Sequence, residues 1–252
     1  MAQTVRVKVR RQDEPGAKSY WQEFDVPWTP GMNALSCLQE IQKNPVTADG
    51  KAVAAVVWES SCLEEVCGAC SMRINGIPRQ GCSYLVHEGE QLTLEPMSTF
   101  PVVRDLIIDR ERMFQALLES HSWIDIDGTH DLGPGPRQSP KDQSWMYVLS
   151  RCMTCGCCLD ACPQVNDHSE FVGPSVISQV RLFNAHPSGK MHADKRLDYL
   201  MQPGGIADCG NAQNCVKVCP KEIPLTQSIA ELGKATLAYG MKRFFHKADL
   251  EM

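Results

Sequence analysis

Val5, Val7 and Val9 alternate with the charged Arg6, Lys8 and Arg10, and Trp21 to Val26 repeats the same two-residue period. Side chains of a strand point to opposite faces in turn, so each segment predicts a strand with one buried face. Asp13-Glu14-Pro15-Gly16 lies between them and predicts a hairpin connection. The period then changes: after Pro30-Gly31, the segment Met32 to Ile41 places Leu35, Leu38 and Ile41 at helical spacing, and Asn44-Pro45 stops the helix. Short strands are predicted at Val53 to Val57, Met72 to Ile74 and Gln91 to Leu94. Together these elements make a small mixed sheet with one helix across it.

Beyond Phe100-Pro101 the pattern is helical. Val102 to Leu118 carries apolar residues at helical intervals, with Arg104, Asp105, Asp109 and Arg110 on its other faces. The domain boundary is expected here, giving domains 1–105 and 106–252. Gly128 to Pro140, with Gly133-Pro134-Gly135-Pro136, predicts a loop. Further helices are predicted at Ser175 to Asn184, Ala193 to Met201 and Pro224 to Phe245. The fold class is therefore α+β, a sheet domain followed by a helical one.

At 252 residues and 43% hydrophobic content, the chain can bury two modest cores. Its net charge of -5 carries no basic excess of the kind nucleic acid requires, so nucleic acid is not an expected partner. The N-terminal run MAQTVRVKVRRQDE lacks the apolar core and cleavage site of a secretory signal, which places the chain inside the cell. No stretch reaches the roughly 18 uninterrupted apolar residues of a membrane span, so membrane attachment is expected through a partner. In a reducing compartment, thirteen cysteines point to metal or redox chemistry rather than disulfides.

Eleven of the thirteen fall into patterns. The first is Cys62-x4-Cys67-x2-Cys70, completed by Cys82, a spacing that matches plant-type 2Fe-2S ferredoxins. Gly68 and Ala69 are slim enough to let backbone N–H groups approach the cluster sulfurs. A four-cysteine zinc site is the alternative, but such sites pair two short knuckles, whereas here Cys82 stands alone.

A duplicated run follows. Cys152-x2-Cys155-x2-Cys158-x3-Cys162-Pro163 recurs as Cys209-x2-Ala212-x2-Cys215-x3-Cys219-Pro220. In two-cluster bacterial ferredoxins the fourth cysteine of each run ligates the other cluster. That rule assigns Cys152, Cys155, Cys158 and Cys219 to a 4Fe-4S cubane, and Cys162, Cys209 and Cys215 to a second site. Ala212 has no lone pair for an iron, so a 3Fe-4S cluster is the natural occupant. The alternative is a 4Fe-4S cluster with one open iron acting as a Lewis acid, as in hydro-lyases.

Cys37 and Cys157 are left over and expected to pack as small apolar residues. Ligation by Cys157 in place of Cys158 would break both the x2 and the x3 steps. The seven histidines, His87, His121, His130, His168, His186, His192 and His246, lie outside both runs and are expected to serve as surface or core residues; a quinone-proximal role stays open for His168 alone. The chain has no dinucleotide fingerprint, no P-loop and no nucleophile elbow. No catalytic residue is expected in it.

Four segments carry a family resemblance: Cys62-Leu-Glu-Glu-Val-Cys67-Gly-Ala-Cys70-Ser-Met-Arg-Ile-Asn-Gly76, Phe100-Pro-Val-Val-Arg-Asp105-Leu, Arg151-Cys-Met-Thr-Cys155-Gly-Cys-Cys158, and Asn214-Cys215-Val-Lys-Val-Cys219-Pro-Lys221. From about Val5 to about Lys242 the chain resembles the iron-sulfur subunits of succinate dehydrogenase and fumarate reductase. The resemblance implies an N-terminal β-grasp domain of the plant-type ferredoxin kind, and an all-helical domain of the bacterial ferredoxin kind. It implies the same cluster ligands and two partners, a flavoprotein subunit with covalent FAD and a membrane cytochrome b anchor. Electrons would pass from the FAD through 2Fe-2S, 4Fe-4S and 3Fe-4S clusters to quinone.

One departure narrows it. Ubiquinone-reducing members carry a tryptophan shortly after the first Cys-Pro and a histidine after the first cysteine of the second run. This chain has Pro163-Gln164-Val165-Asn166-Asp167 and Gly210 instead. It thus resembles the Gram-positive, menaquinone-linked branch with haem b in the anchor, which implies a peripheral position on the cytoplasmic side of the cell membrane. The ligands do not separate succinate oxidation from fumarate reduction, and a stand-alone ferredoxin-like carrier is a further alternative.

Overall fold

A computed structural model of the chain describes residues 4–125 and 137–250, with 246–250 described by backbone alone. Its first elements are β1 (Thr4–Arg11), β2 (Tyr20–Pro27), α1 (Ala34–Lys43), β3 (Ser71–Ile74), β4 (Ile77–Gln80), β5 (Gln91–Glu95), β6 (Val102–Arg104) and β7 (Ile107–Ile108). Helices follow as α2 (Glu111–Glu119), α3 (Pro140–Ser150), α4 (Cys157–Asp160), α5 (Pro174–Ala185), α6 (Ala193–Leu200), α7 (Asn214–Lys217) and α8 (Leu225–Leu250). Two compact units result, Met1–Arg110 with Met153–Ala161, and Glu111–Cys152 with Cys162–Met252. The segment Met153–Ala161, expected wholly in the helical half, therefore packs with the sheet.

The first unit holds a five-stranded sheet in the order β2-β1-β5-β3-β4. β1 pairs antiparallel with β2 and parallel with β5, and β3 pairs antiparallel with both β4 and β5. Val5, Val7 and Val9 of β1 are buried, as alternation demands, and pack with Leu35, Leu38 and Ile41 of α1 and with Met72, Ile74, Leu92 and Leu94. This is the β-grasp arrangement implied by the resemblance. Asn33 starts α1 with a capping box, accepting from the Ser36 N–H at 2.9 Å, while its side-chain amide donates to the Cys82 carbonyl at 3.0 Å. The cap thereby fixes the backbone of a candidate cluster residue.

Two expected elements do not form. Val53 to Val57 is no strand, because its backbone groups are taken by a buried ion pair. Arg11 and Asp105 lie 2.8 Å apart with side chains no more than 1% exposed. The Arg11 guanidinium also donates to the Ala54 and Ala55 carbonyls, and Asp105 accepts from the Val57 N–H. Val102 to Leu118 is not one helix: Asp105 sits in the left-handed region, with φ 47°, which a right-handed helix cannot contain. Its first part is the β6–β7 hairpin, and only Glu111–Glu119 is helical.

Removing one partner of a buried pair costs far more than the pair contributes, on the order of 3–5 kcal/mol. Asp105→Ala is therefore expected to lower the urea midpoint for loss of cluster absorption. An unchanged midpoint would show that Arg11 finds other acceptors.

The second unit is helical among its described residues. α5, α6 and α8 match the expected spans closely, and α5 buries Val176, Ile177 and Val180. The loop expected at Gly128 to Pro140 falls mostly outside the described residues, but its end is a helix start: Ser139 caps α3 and Pro140 occupies its first turn. Among the described residues no helix is long and apolar enough to cross a membrane.

Candidate metal centres

Residues 62–70 form a loop whose backbone turns inward on its own sulfurs. Leu63 and Glu65 adopt left-handed conformations, with φ 62° and 57°, and this aims successive N–H groups at one place. Cys62 Sγ accepts from the N–H groups of Glu64, Val66 and Cys67 at 3.3–3.4 Å, and Cys82 Sγ accepts from Glu65 N–H at 3.3 Å. These donors pull the Cys62 thiol down to about 7, whereas burial pushes Cys70 up to about 12. Cys67 acts on the Cys62 thiol, and Cys82 acts on the Cys70 thiol. Two thiol pairs ringed by N–H donors fit a rhombic two-iron cluster, one pair per iron.

Against this loop lies Met153–Ala161. Gly68, with φ +75°, has room for no side chain: a Cβ there would stand 2.9 Å from the Cys155 Cβ. Gly156, with φ +84°, faces the Met97 and Phe100 side chains, which a Cβ would meet at 3.1 Å. The segment is anchored by the buried Asp160, whose carboxylate accepts from the Ser98 hydroxyl and the Thr99 N–H, both at 3.1 Å. Gln80 joins the two cysteine loops, its carbonyl 3.5 Å from Cys70 Sγ and its amide 3.5 Å from Cys157 Sγ. Sequence spacing gives no sign of Gln80, because only the β3–β4 pairing brings it there.

Within that segment Cys155 and Cys157 divide their roles. The Cys157 thiol and N–H lower the Cys155 thiol, with a smaller contribution from Arg110, while the Cys155 contact and burial raise Cys157 well above the ordinary thiol value. The contact between them thus favours the charged form of Cys155 and disfavours that of Cys157, which is buried. Cys37 is likewise buried, within the sheet core.

The cysteine duplication is also a backbone duplication. The third residue of each run is left-handed, Thr154 at φ 53° and Asn211 at φ 53°, and so is the fifth, Gly156 at φ 84° and Gln213 at φ 60°. Each run then makes a four-residue helix, α4 and α7, and ends in Cys-Pro. Ala212 occupies the position that Cys155 holds in the first run.

In the second unit, burial raises the Cys162 thiol and the nearby Cys209 raises it further. Burial likewise lifts Cys215 to about 11, with Cys162 and Cys209 adding to the effect. These three thiols therefore share one locality, a donor set that fits a three-iron cluster with no ligand at its fourth corner. Gly210 lies against Gln164, and a Cβ there would meet the Gln164 amide at 2.5 Å. Cys219 Sγ accepts from Ile223 N–H at 3.4 Å. Of the remaining sequence-predicted residues, Cys158 belongs to the first unit and Cys152 and Cys219 to the second.

Comparison with known proteins places these features. Residues 6–115 match the 2Fe-2S iron-sulfur cluster binding domain, and residues 148–223 match the 4Fe-4S dicluster domain. The succinate dehydrogenase iron-sulfur subunit of Bacillus subtilis is 55% identical over 243 residues, covering 96% of each chain. The chain belongs to the family of succinate dehydrogenase iron-sulfur subunits. A fumarate reductase iron-sulfur subunit from Wolinella succinogenes is more distant, 28% identical over 92% of this chain and 97% of its own. The fold is similar to that of a chain in the Mycobacterium smegmatis Sdh1 complex in the apo form, with a TM-score of 0.74, 24% identity, and coverage of 94% and 96%. Family membership therefore falls on the oxidoreductase side of the sequence alternatives, away from the hydro-lyase.

Proposed function

We propose that this chain carries electrons from the FAD of a flavoprotein partner to menaquinone at a membrane cytochrome b partner containing haem b, on the cytoplasmic side of the cell membrane. Cys62, Cys67, Cys70 and Cys82 hold the 2Fe-2S cluster. Cys152, Cys155, Cys158 and Cys219 hold the 4Fe-4S cluster, an assignment resting on the run spacing. Cys162, Cys209 and Cys215 hold the 3Fe-4S cluster. Such clusters exchange single electrons at potentials set by cluster type, hydrogen bonds to sulfur and burial.

The chain's own residues supply those settings. N–H groups of residues 64–67 stabilise negative charge on the first cluster's sulfurs, and Gln80 spans Cys70 and Cys157. The observation that carries the proposal is the packing of Gly68 on Cys155, which leaves no side chain between the first two cysteine loops. Its test is succinate added to the anaerobically purified complex. The cluster absorption should bleach and the reduced 2Fe-2S signal should rise, and neither should occur in the chain separated from its flavoprotein. Clusters that stay oxidised in the complete complex would contradict it.

A further inference from the structure

Outside the cysteine sites, one cluster of ligand-type side chains stands among the described residues of the second unit: His121 just past α2, Asp125, and His192 at the end of the 3-10 turn Gly189–His192. Asp125 Oδ2 lies 3.2 Å from His121 Nε2 and 3.1 Å from His192 Nδ1, and all three ligand atoms fall within 4.8 Å of one another. A tetrahedral zinc with bonds of about 2.0–2.1 Å sets its ligand atoms about 3.3 Å apart. Two edges of that tetrahedron are already formed. The imidazole rings, 5.2 Å apart and tilted by 53°, do not stack face to face.

The surroundings are built to hold these groups. Trp123 Nε1–H donates to the other oxygen, Asp125 Oδ1, at 2.8 Å, which orients the carboxylate and leaves Oδ2 to the histidines. Such outer hydrogen bonds are the usual means of aiming a metal ligand. The Trp123 ring also lies 3.9 Å from the His121 ring. Arg196, fully buried, donates to the carbonyls of His121, Trp123 and Gly189 at 2.7–2.8 Å, tying together the two turns that carry the histidines. Its positive charge is taken up by those carbonyls.

A separate observation concerns the backbone of His121. Hydrogen bonds from His121 N–H to the Leu118 carbonyl and from Ser122 N–H to the Leu117 carbonyl close a Schellman motif at the end of α2. His121 therefore occupies the left-handed position, with φ 51°, where glycine is favoured and a side chain costs about 1 kcal/mol. An imidazole placed there against that preference points to a use for the side chain.

We infer that His121, Asp125 and His192 bind one divalent cation of the zinc class, independently of the cysteine clusters. Two imidazoles and a carboxylate are the donor set that such ions take, and the side chains, 17–40% exposed, leave an entry path and room for a water ligand.

The test uses the intact complex, washed with a chelator that spares the clusters and then titrated with Zn2+ against a chromophoric competitor. One zinc per chain should bind, and the zinc absorption spectrum should show two imidazole ligands. His121→Gly keeps the favoured residue in the left-handed cap and removes only the ligand. It and His192→Gln should each weaken zinc binding by at least about 30-fold, with cluster iron unchanged. An unaltered complex that takes up no zinc in the titration, or equal binding by all three proteins, would overturn the site and leave His121-Asp125-His192 as a hydrogen-bonded lock.

Discussion

Ala212→Cys is expected to abolish the paramagnetic signal of the oxidised three-iron cluster and replace it with a cubane that becomes paramagnetic only on reduction. The backbone around Ala212 repeats that around Cys155, with left-handed residues before and after and a short helix following. A thiol introduced there would occupy the position in the run at which the first run already presents one, on a backbone of the same local conformation. Cluster type is a principal determinant of potential over a range from about -700 to +450 mV, and the change is expected to lower the potential by on the order of 100 mV or more. Quinone reduction should fall at least about 10-fold as the last carrier becomes a poorer acceptor. An oxidised variant with an unchanged three-iron signal would refute the placement of Ala212.

Cys162→Ala separates two registers that predict different losses. If each run served its own cluster, Cys162 would belong with Cys152, Cys155 and Cys158, and the cubane would be lost. In the crossed register it belongs with Cys209, which acts on it, and with Cys215, on which it acts, and the three-iron signal is lost instead. Electron paramagnetic resonance of oxidised and dithionite-reduced membranes distinguishes the two. The 2Fe-2S signal should persist in either case, because Cys62, Cys67, Cys70 and Cys82 form a separate pattern, with Cys62 and Cys82 held by the N–H groups of residues 64–67.

Much of this architecture is legible along the chain, and the exceptions share a cause. β1, β2 and α1 each bury one face, so the periods of Val5 to Val9, Phe24 to Val26 and Leu35 to Ile41 show them directly, whereas Trp21, counted in the same run, falls on the exposed face. Val53 to Val57 misleads because Arg11 and Asp105, distant in sequence, meet in the core and take its backbone groups, and Val102 to Leu118 misleads because Asp105 is held there in a left-handed conformation. β4 was signalled by Asn75-Gly76, both left-handed as a tight hairpin turn requires, but Pro78 within the strand hides it.

The cysteine patterns are legible for a different reason: a cluster fixes the spacing of its ligands locally, whatever the rest of the fold does. Gln80, Asp160 and the close approach of Gly68 to Cys155 are not legible, since each depends on a tertiary contact that Met153–Ala161 makes with residues distant in sequence. The same holds for His121 and His192. Their turns are distant along the chain and meet through Arg196.

Three unequal clusters in one chain are tested most directly by counting their atoms. Non-haem iron and acid-labile sulfide, measured per chain in the anaerobically purified complex, should approach about nine iron atoms and about ten sulfides. About ten iron atoms with equal labile sulfide would mean that the Ala212 corner is filled, and zinc in place of cluster iron would contradict the account altogether.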